Sequence, residues 1–210
     1  MRHVFVRRAL SIAPAKCGHG ARLSMSVKPM VFERFFGRNP ALDAARRLYV
    51  ALSTQARLPA FYAVHGVPDT LDGRFDCVAL HAFLVLDRLK REDSAQAAET
   101  AQHMVDTFVE DMDRTVRELG VGDMGVARRV KAMAQALYGR AAVYSAALNG
   151  AEPGALEDAL RRNLYGTVES PDPAGVAAMA AYTRQAAASL AAGEAAALLA
   201  GEPNFPPVSI

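Results

Sequence analysis

An all-α, single-domain bundle of about six to eight helices is the fold this sequence predicts, on three observations. Apolar residues recur at steps of three and four along most of the chain, and no stretch alternates with the period of two that a half-buried strand needs. Alanine dominates, Trp is absent and aromatic residues make up only 7%, a mix that favours helices packed closely through small side chains. At 210 residues, 51% of them apolar, the chain is long enough for one sizeable core and too short for two comfortable ones.

The first helix is expected over about Pro40 to Ala56, with Asn39 as its cap and Leu42, Ala45, Leu48, Tyr49 and Leu52 as its apolar stripe. The stretch from Leu58 to Asp72 holds Pro59, Gly66 and Pro68, so it reads as a connector with at most a short helix. A helix from about Asp76 to Glu92 is apolar nearly all round, which places it centrally in the bundle. The next, about Ala95 to Leu119, carries Val105, Phe108, Met112, Val116 and Leu119 on one face. Its other face offers the pairs Glu110 with Arg114, Asp113 with Arg117 and Arg114 with Glu118. Gly120-Val121-Gly122 reads as a helix stop, and Asp123 as the cap of a helix from about Met124 to Asn149. A shorter helix around Gly154 to Tyr165, a Pro-containing loop and a last, largely alanine helix from about Ala174 to Leu199 complete the set. The domain organisation expected is an N-terminal extension over 1–30, a helical domain over 31–200 and a non-helical tail over 201–210.

Six basic residues precede the first acidic one, Glu33, so the net charge of +2 belongs to the N-terminal segment and the body is mildly acidic. An acidic body is poorly suited to nucleic acid, whose binding rests on neutralising phosphates. The segment before Lys28 has arginines, serines and no acid; a mitochondrial transit peptide and residues upstream of a true start at Met25 or Met30 both fit it. The two cysteines, Cys17 and Cys77, imply no disulfide framework. No uncharged run exceeds about eleven residues, short of the ~20 that span a bilayer.

The charge that remains is concentrated in two blocks. Arg74, Asp76, His81 and Asp87 punctuate an apolar run, and Asp111, Asp113, Arg114, Arg117, Glu118 and Asp123 crowd about four helical turns. Charges beside a buried helix need partners, so Arg74 and Asp76 are expected to join the Asp111–Arg117 face in one network at a packing edge, structural or partner-binding, with Arg140 and Tyr144 nearby. No metal is expected: Glu99 and His103 are spaced wrongly for a carboxylate-bridged bundle site and are not repeated. Neither a G-x-S-x-G elbow nor a P-loop is present, and no cofactor is expected. A helical-bundle enzyme using His81 with Asp111 or Asp113 is the competing class, and a generic adaptor a third. A membrane contact is expected at Phe32, Phe35 and Phe36, flanked by Arg34 and Arg38, because an aromatic face with arginines suits an anionic interface.

Leu48-Tyr49 through Gln55-Ala56-Arg57, then GVPDT (66–70), GRFD (73–76), HAFLVLDRLK (81–90), DMDRTVRELGVGD (111–123) and YGRAAVY (138–144) resemble the ubiquinol–cytochrome c chaperone family. The resemblance runs from about Asp43 to Tyr165; Cys77 stands where a larger or polar residue is expected and Ala56 where serine is. It implies a non-enzymatic chaperone for assembly of the bc1 complex, acting on newly made cytochrome b. It also implies, from the mitochondrial members, a small partner protein and ribosome contact, at the inner membrane surface of a bacterium or on the matrix side in a mitochondrion. Client contact is expected on an apolar surface beside the alanine-rich last helix, rimmed by Arg117, Asp123 and Arg140.

Overall fold

Asn39 starts the described part of the molecule, residues 39–208 of the computed structural model, and it does so as a helix cap. Its side-chain oxygen accepts from the backbone N–H of Ala41 at 2.9 Å and of Leu42 at 3.1 Å, with Pro40 pre-set for the first turn. The result is α1, Pro40–Ala56, followed by a single short turn of helix, α2, Pro59–Ala63.

The central helix, α3, spans Leu71–Lys90 and begins earlier than its apolar run. Thr70 is the reason: its hydroxyl accepts from the Gly73 N–H at 3.1 Å and closes the first turn. Gly73 is needed there because a Cβ would lie 2.1 Å from the Pro68 carbonyl oxygen. Arg74 and Asp76 therefore sit inside the helix, not at its opening. Every residue from Asp76 to Val85 is buried, and α3 packs against α1, against α4 (Ala95–Glu118) and against α5 (Asp123–Asn149).

Ser94 caps α4 by accepting from Ala97 N–H at 3.1 Å. The cap of α5 is Gly122 and makes no side-chain bond; the Asp123 carboxylate, expected in that role, is turned to Arg117 instead. After α6, Ala155–Asn163, the alanine-rich segment forms two helices, α7 (Pro173–Ala192) and α8 (Ala195–Leu199), because Gly193 leaves helical geometry between them. Residues 202–208 are non-helical. All secondary structure among the described residues is helical, so the fold is an all-α bundle. No helix among them is long and apolar enough to cross a membrane.

Small side chains let α7 approach closely. Ala180 and Ala186 are wholly buried together with Val176 and Met179, and α7 packs on α6 and α3. Tyr182 projects from α7 to the buried His81 of α3. Nδ1 of His81 faces the Cys77 carbonyl at 2.8 Å, and Nε2 faces the Tyr182 hydroxyl at 2.8 Å. A carbonyl can only accept, so Nδ1 carries the proton and Nε2 accepts from Tyr182. Tyr182 in turn accepts from Gln55 Nε2 at 3.1 Å. Burial pushes the His81 imidazole down to about 4, so it is held neutral. Burial likewise pushes the Cys77 thiol up to about 12, which makes it an inert core side chain.

Replacing Tyr182 with Phe is expected to cost about 1–3 kcal/mol of unfolding free energy, since Nε2 of His81 would be left buried without a donor. Urea unfolding of the two proteins measures it. Coincident curves would show that the polar chain through Gln55, Tyr182 and His81 does not hold α1, α3 and α7 together.

Candidate functional site

Where α3, α4 and α5 diverge, an open cleft of about 680 Å³ enters the bundle. Leu71 and Phe75 of α3, Val116 of α4, Leu119 just beyond it and Met133 and Ala136 of α5 form its walls. These positions follow from helical spacing. Arg129, Met133, Ala136 and Arg140 succeed one another at steps of four, three and four, so they share one face of α5. Leu71 and Leu119 are each about half exposed, at 53% and 52%, so apolar surface reaches the mouth. Asp72, Arg129 and Arg162 lie among the lining residues as well.

The cleft is polar at the level of Asp76 and Arg140. A guanidinium nitrogen of Arg140 lies 2.7 Å from Oδ1 of Asp76, and both side chains are largely buried. The pair is close but misaligned: Oδ1 of Asp76, Nε of Arg140 and the hydroxyl of neighbouring Tyr144 are all buried without a hydrogen-bond partner. Arg140 also lies over the Phe75 ring, 5.5 Å from its centroid. Burial pushes the Asp76 carboxyl up to about 7, although Arg140 pulls it down; Asp72 adds to the rise. Burial therefore outweighs the ion pair at this carboxylate.

The other charged residues fall into separate groups, so the single network expected from the sequence is not formed. Asp111 accepts from the Tyr49 hydroxyl at 2.7 Å and pairs with Arg114, which ties α1 to α4. Arg117 is shared by Asp113 and Asp123, each at 2.6 Å, and bridges the turn between α4 and α5 in full view of solvent. Arg74 turns to Asp69 at 2.6 Å, exposed on the opposite side of its own helix start. Such exposed pairs are screened by solvent and add little to stability. Of the expected helical pairs only Asp113 with Arg117 is made; Arg114 takes Asp111 in place of Glu110 or Glu118.

His81 touches neither Asp111 nor Asp113, and its one lone pair is engaged by Tyr182, so the acid–base arrangement considered for an enzyme is not assembled. No group of three or more His, Cys, Asp or Glu side chains that could hold a metal occurs among the described residues. The run Gly120-Val121-Gly122-Asp123-Met124-Gly125 has G-x-G-x-x-G spacing. It joins two helices, whereas a dinucleotide loop follows a strand. A smaller pocket of about 280 Å³ does lie beside the last helix, lined by Ala187, Ala188 and Ala191 of α7 with Leu84 and Leu148, and it is separate from the cleft. Arg140 does line the cleft, but α7 contributes nothing to it, and Arg117 and Asp123 stand apart in their own pair. Phe32, Arg34, Phe35, Phe36 and Arg38 lie outside the described residues. Sequence reasoning missed Leu71, Phe75, Arg129 and Arg162 as lining residues; the α5 spacing was the available signal.

The raised Asp76 carboxyl predicts a pH dependence. Its folded value, about 7, lies above the usual carboxylate range, so the folded state binds the extra proton. The stability tied to that proton is full below about pH 4 and is lost as pH rises through 7. Asp76→Asn cannot lose a proton, so its stability relative to the parent should rise between pH 5 and 7 by up to roughly 1 kcal/mol per pH unit. Urea titrations of both proteins at several pH values check this, and a constant difference would show that Asp76 stays ionised throughout.

Residues 63–205 match the ubiquinol-cytochrome C chaperone family. The crystal structure of the Cbp3 homolog from Brucella abortus superposes with a TM-score of 0.73 at 37% identity, covering 85% of this chain and 98% of that one. Ubiquinol-cytochrome-c reductase complex assembly factor 1 of Xenopus laevis is 25% identical over 148 residues, 68% of this chain and 70% of the relative. The likeness therefore takes in α3 to α8 and with them the cleft, and on that footing the chain belongs to the ubiquinol-cytochrome C chaperone family.

Proposed function

We propose that this protein holds newly made cytochrome b during assembly of the bc1 complex, with the cleft between α3, α4 and α5 as its client site. Its role is that of a non-enzymatic chaperone in bc1 assembly. The observation that carries the client site is the open apolar cleft itself, walled by Leu71, Phe75, Val116, Leu119 and Met133. Its shape and lining suit an apolar or amphipathic helix laid into a groove. Met133 adds a side chain that re-packs against varied partners. Arg129, Arg140, Arg162, Asp72 and Asp76 supply polar groups that set the orientation of the client. Arg74, His81, Asp111, Asp113, Arg114, Arg117 and Asp123 serve the scaffold in this reading, because each is engaged with another part of the protein.

The place of work proposed is the inner membrane surface, on the cytoplasmic side in a bacterium or the matrix side in a mitochondrion. Phe32, Phe35 and Phe36 with Arg34 and Arg38 are proposed as one membrane contact. A small companion protein and the ribosome are further partners in this reading. Direct nucleic-acid binding has no part in it, since acidic side chains outnumber basic ones from residue 39 onward.

Two measurements test the proposal. A strain lacking the protein should lose most of its cytochrome b absorbance while other cytochromes persist; normal absorbance would overturn the assembly role. Photo-crosslinkers at Leu119 and Ala132, in the cleft, should capture cytochrome b during its synthesis, and ones at Ala181 and Ala188, exposed on α7, should not. Capture from α7 alone would move the client site to that helix.

A further inference from the structure

Two opposite faces of α5 carry different chemistry. One lines the cleft. The other presents Met124, Arg128, Lys131, Gln135 and Tyr138 to solvent, at steps of four, three, four and three. Residues so spaced fall on one stripe, about 21 Å long. Met124 is 94% exposed and Tyr138 58%, far more than their apolar bulk explains in a helix that only needs to be solvated. Arg128 and Lys131 stand between them, exposed.

The charges on this face are of one sign. From Met124 to Asn149 there are four basic residues and no acidic one, while residues 39–208 together are net acidic. Eight of the fourteen arginines in residues 39–208 have a carboxylate partner: Arg74, Arg88, Arg91, Arg114, Arg117, Arg140, Arg161 and Arg184. Arg128 and Lys131 have no ion-pair partner among the described residues, and no helix packs over them.

We infer that this outward face of α5 docks on an anionic lipid surface, with Arg128 and Lys131 against the headgroups and Met124 and Tyr138 entering the interface. Basic groups are drawn to the negative potential of such a surface within a Debye length, and apolar and aromatic tips between them bury in the headgroup region. The acidic remainder of the bundle is repelled by the same surface, which selects this face and sets the orientation. A polynucleotide would use the cations and leave Met124 in water, so the exposed methionine favours lipid. The inference rests on the reading that the chaperone works at a membrane, and it names a surface distinct from the client cleft and from the segment at Phe35.

Flotation of the full chain tests it, using vesicles of phosphatidylcholine alone or mixed equally with phosphatidylglycerol. The parent should float with the mixed vesicles only, and less at high salt. Arg128→Glu with Lys131→Glu should reduce bound protein about tenfold or more. Arg128→Gln with Lys131→Gln, and Met124→Asp, should give smaller losses. All these positions are exposed, and unchanged melting curves would confirm that the variants fold. Equal flotation of parent and the charge-reversal variant overturns the inference. So does loss of flotation confined to Phe35→Asp with Phe36→Asp, which assigns the contact to the N-terminal segment. A parent that floats with neither vesicle removes the membrane reading itself. A parent that instead binds RNA through Arg128 and Lys131 replaces lipid with nucleic acid.

Discussion

Burial of α3 on nearly every side is the constraint on which the rest of the molecule depends. A helix with ten successive buried residues, Asp76 to Val85, cannot lie on a surface, so α1, α4, α5 and α7 must surround it. That enclosure sets a condition on the polar groups it traps. His81 satisfies it by donating to its own helix and accepting from Tyr182, which makes the α3–α7 contact specific as well as close. Phe61, Tyr182 and Phe205 pack their rings about the imidazole at 5.3–5.6 Å centroid separations, so α2, α7 and the non-helical segment after α8 are anchored to one point.

Asp76 meets the same condition less completely. Its partner Arg140 comes from another helix and reaches it at an angle that leaves both with unused hydrogen-bonding capacity, and the Tyr144 hydroxyl beside them is unpartnered too. The cleft opens at this level, and the pair spans α3 and α5 across it. Removing the pair for apolar side chains would cost little in principle. On the proposed function its value is positional: it holds polar groups at the edge of an apolar groove, where an incoming helix would complete their bonding.

How much of this was legible in the sequence depends on the range of the interaction. The limits of α1 follow from Asn39 and Pro40, and those of α4 from Ser94 and the glycines after Leu119, all within a turn of the residues they govern. The start of α3 was read late because Gly66, Pro68 and Gly73 look like loop, whereas Gly73 is there to admit the Pro68 carbonyl. Asp123 failed as a cap because Arg117, six residues away, took its carboxylate. Partners 62 and 101 residues apart, Tyr49 with Asp111 and His81 with Tyr182, are chosen by tertiary packing and have no local signal. The family blocks did locate the cleft residues Asp76 and Arg140, but nothing in their spacing says that they meet each other and not the Asp111 face.

The alanine-rich α7 shows how far composition alone determines packing. Small side chains in a helix fit either an open trough or close approach, and only the neighbours decide between them. Here Val176, Met179, Tyr182 and Leu190 fill the interface and the alanines let α7 descend onto α3 and α6. Helix α5 does the reverse. It commits only Val126, Leu137 and Tyr144 to full burial along 27 residues, so most of its length is free on two sides. One surface faces the cleft and the other faces outward with unpaired cations, and 1.5 Å of rise per residue keeps the two in fixed register. On the proposed function and the inferred lipid contact, a client lying in the groove would be kept on the opposite side of one helix from the plane the cations select.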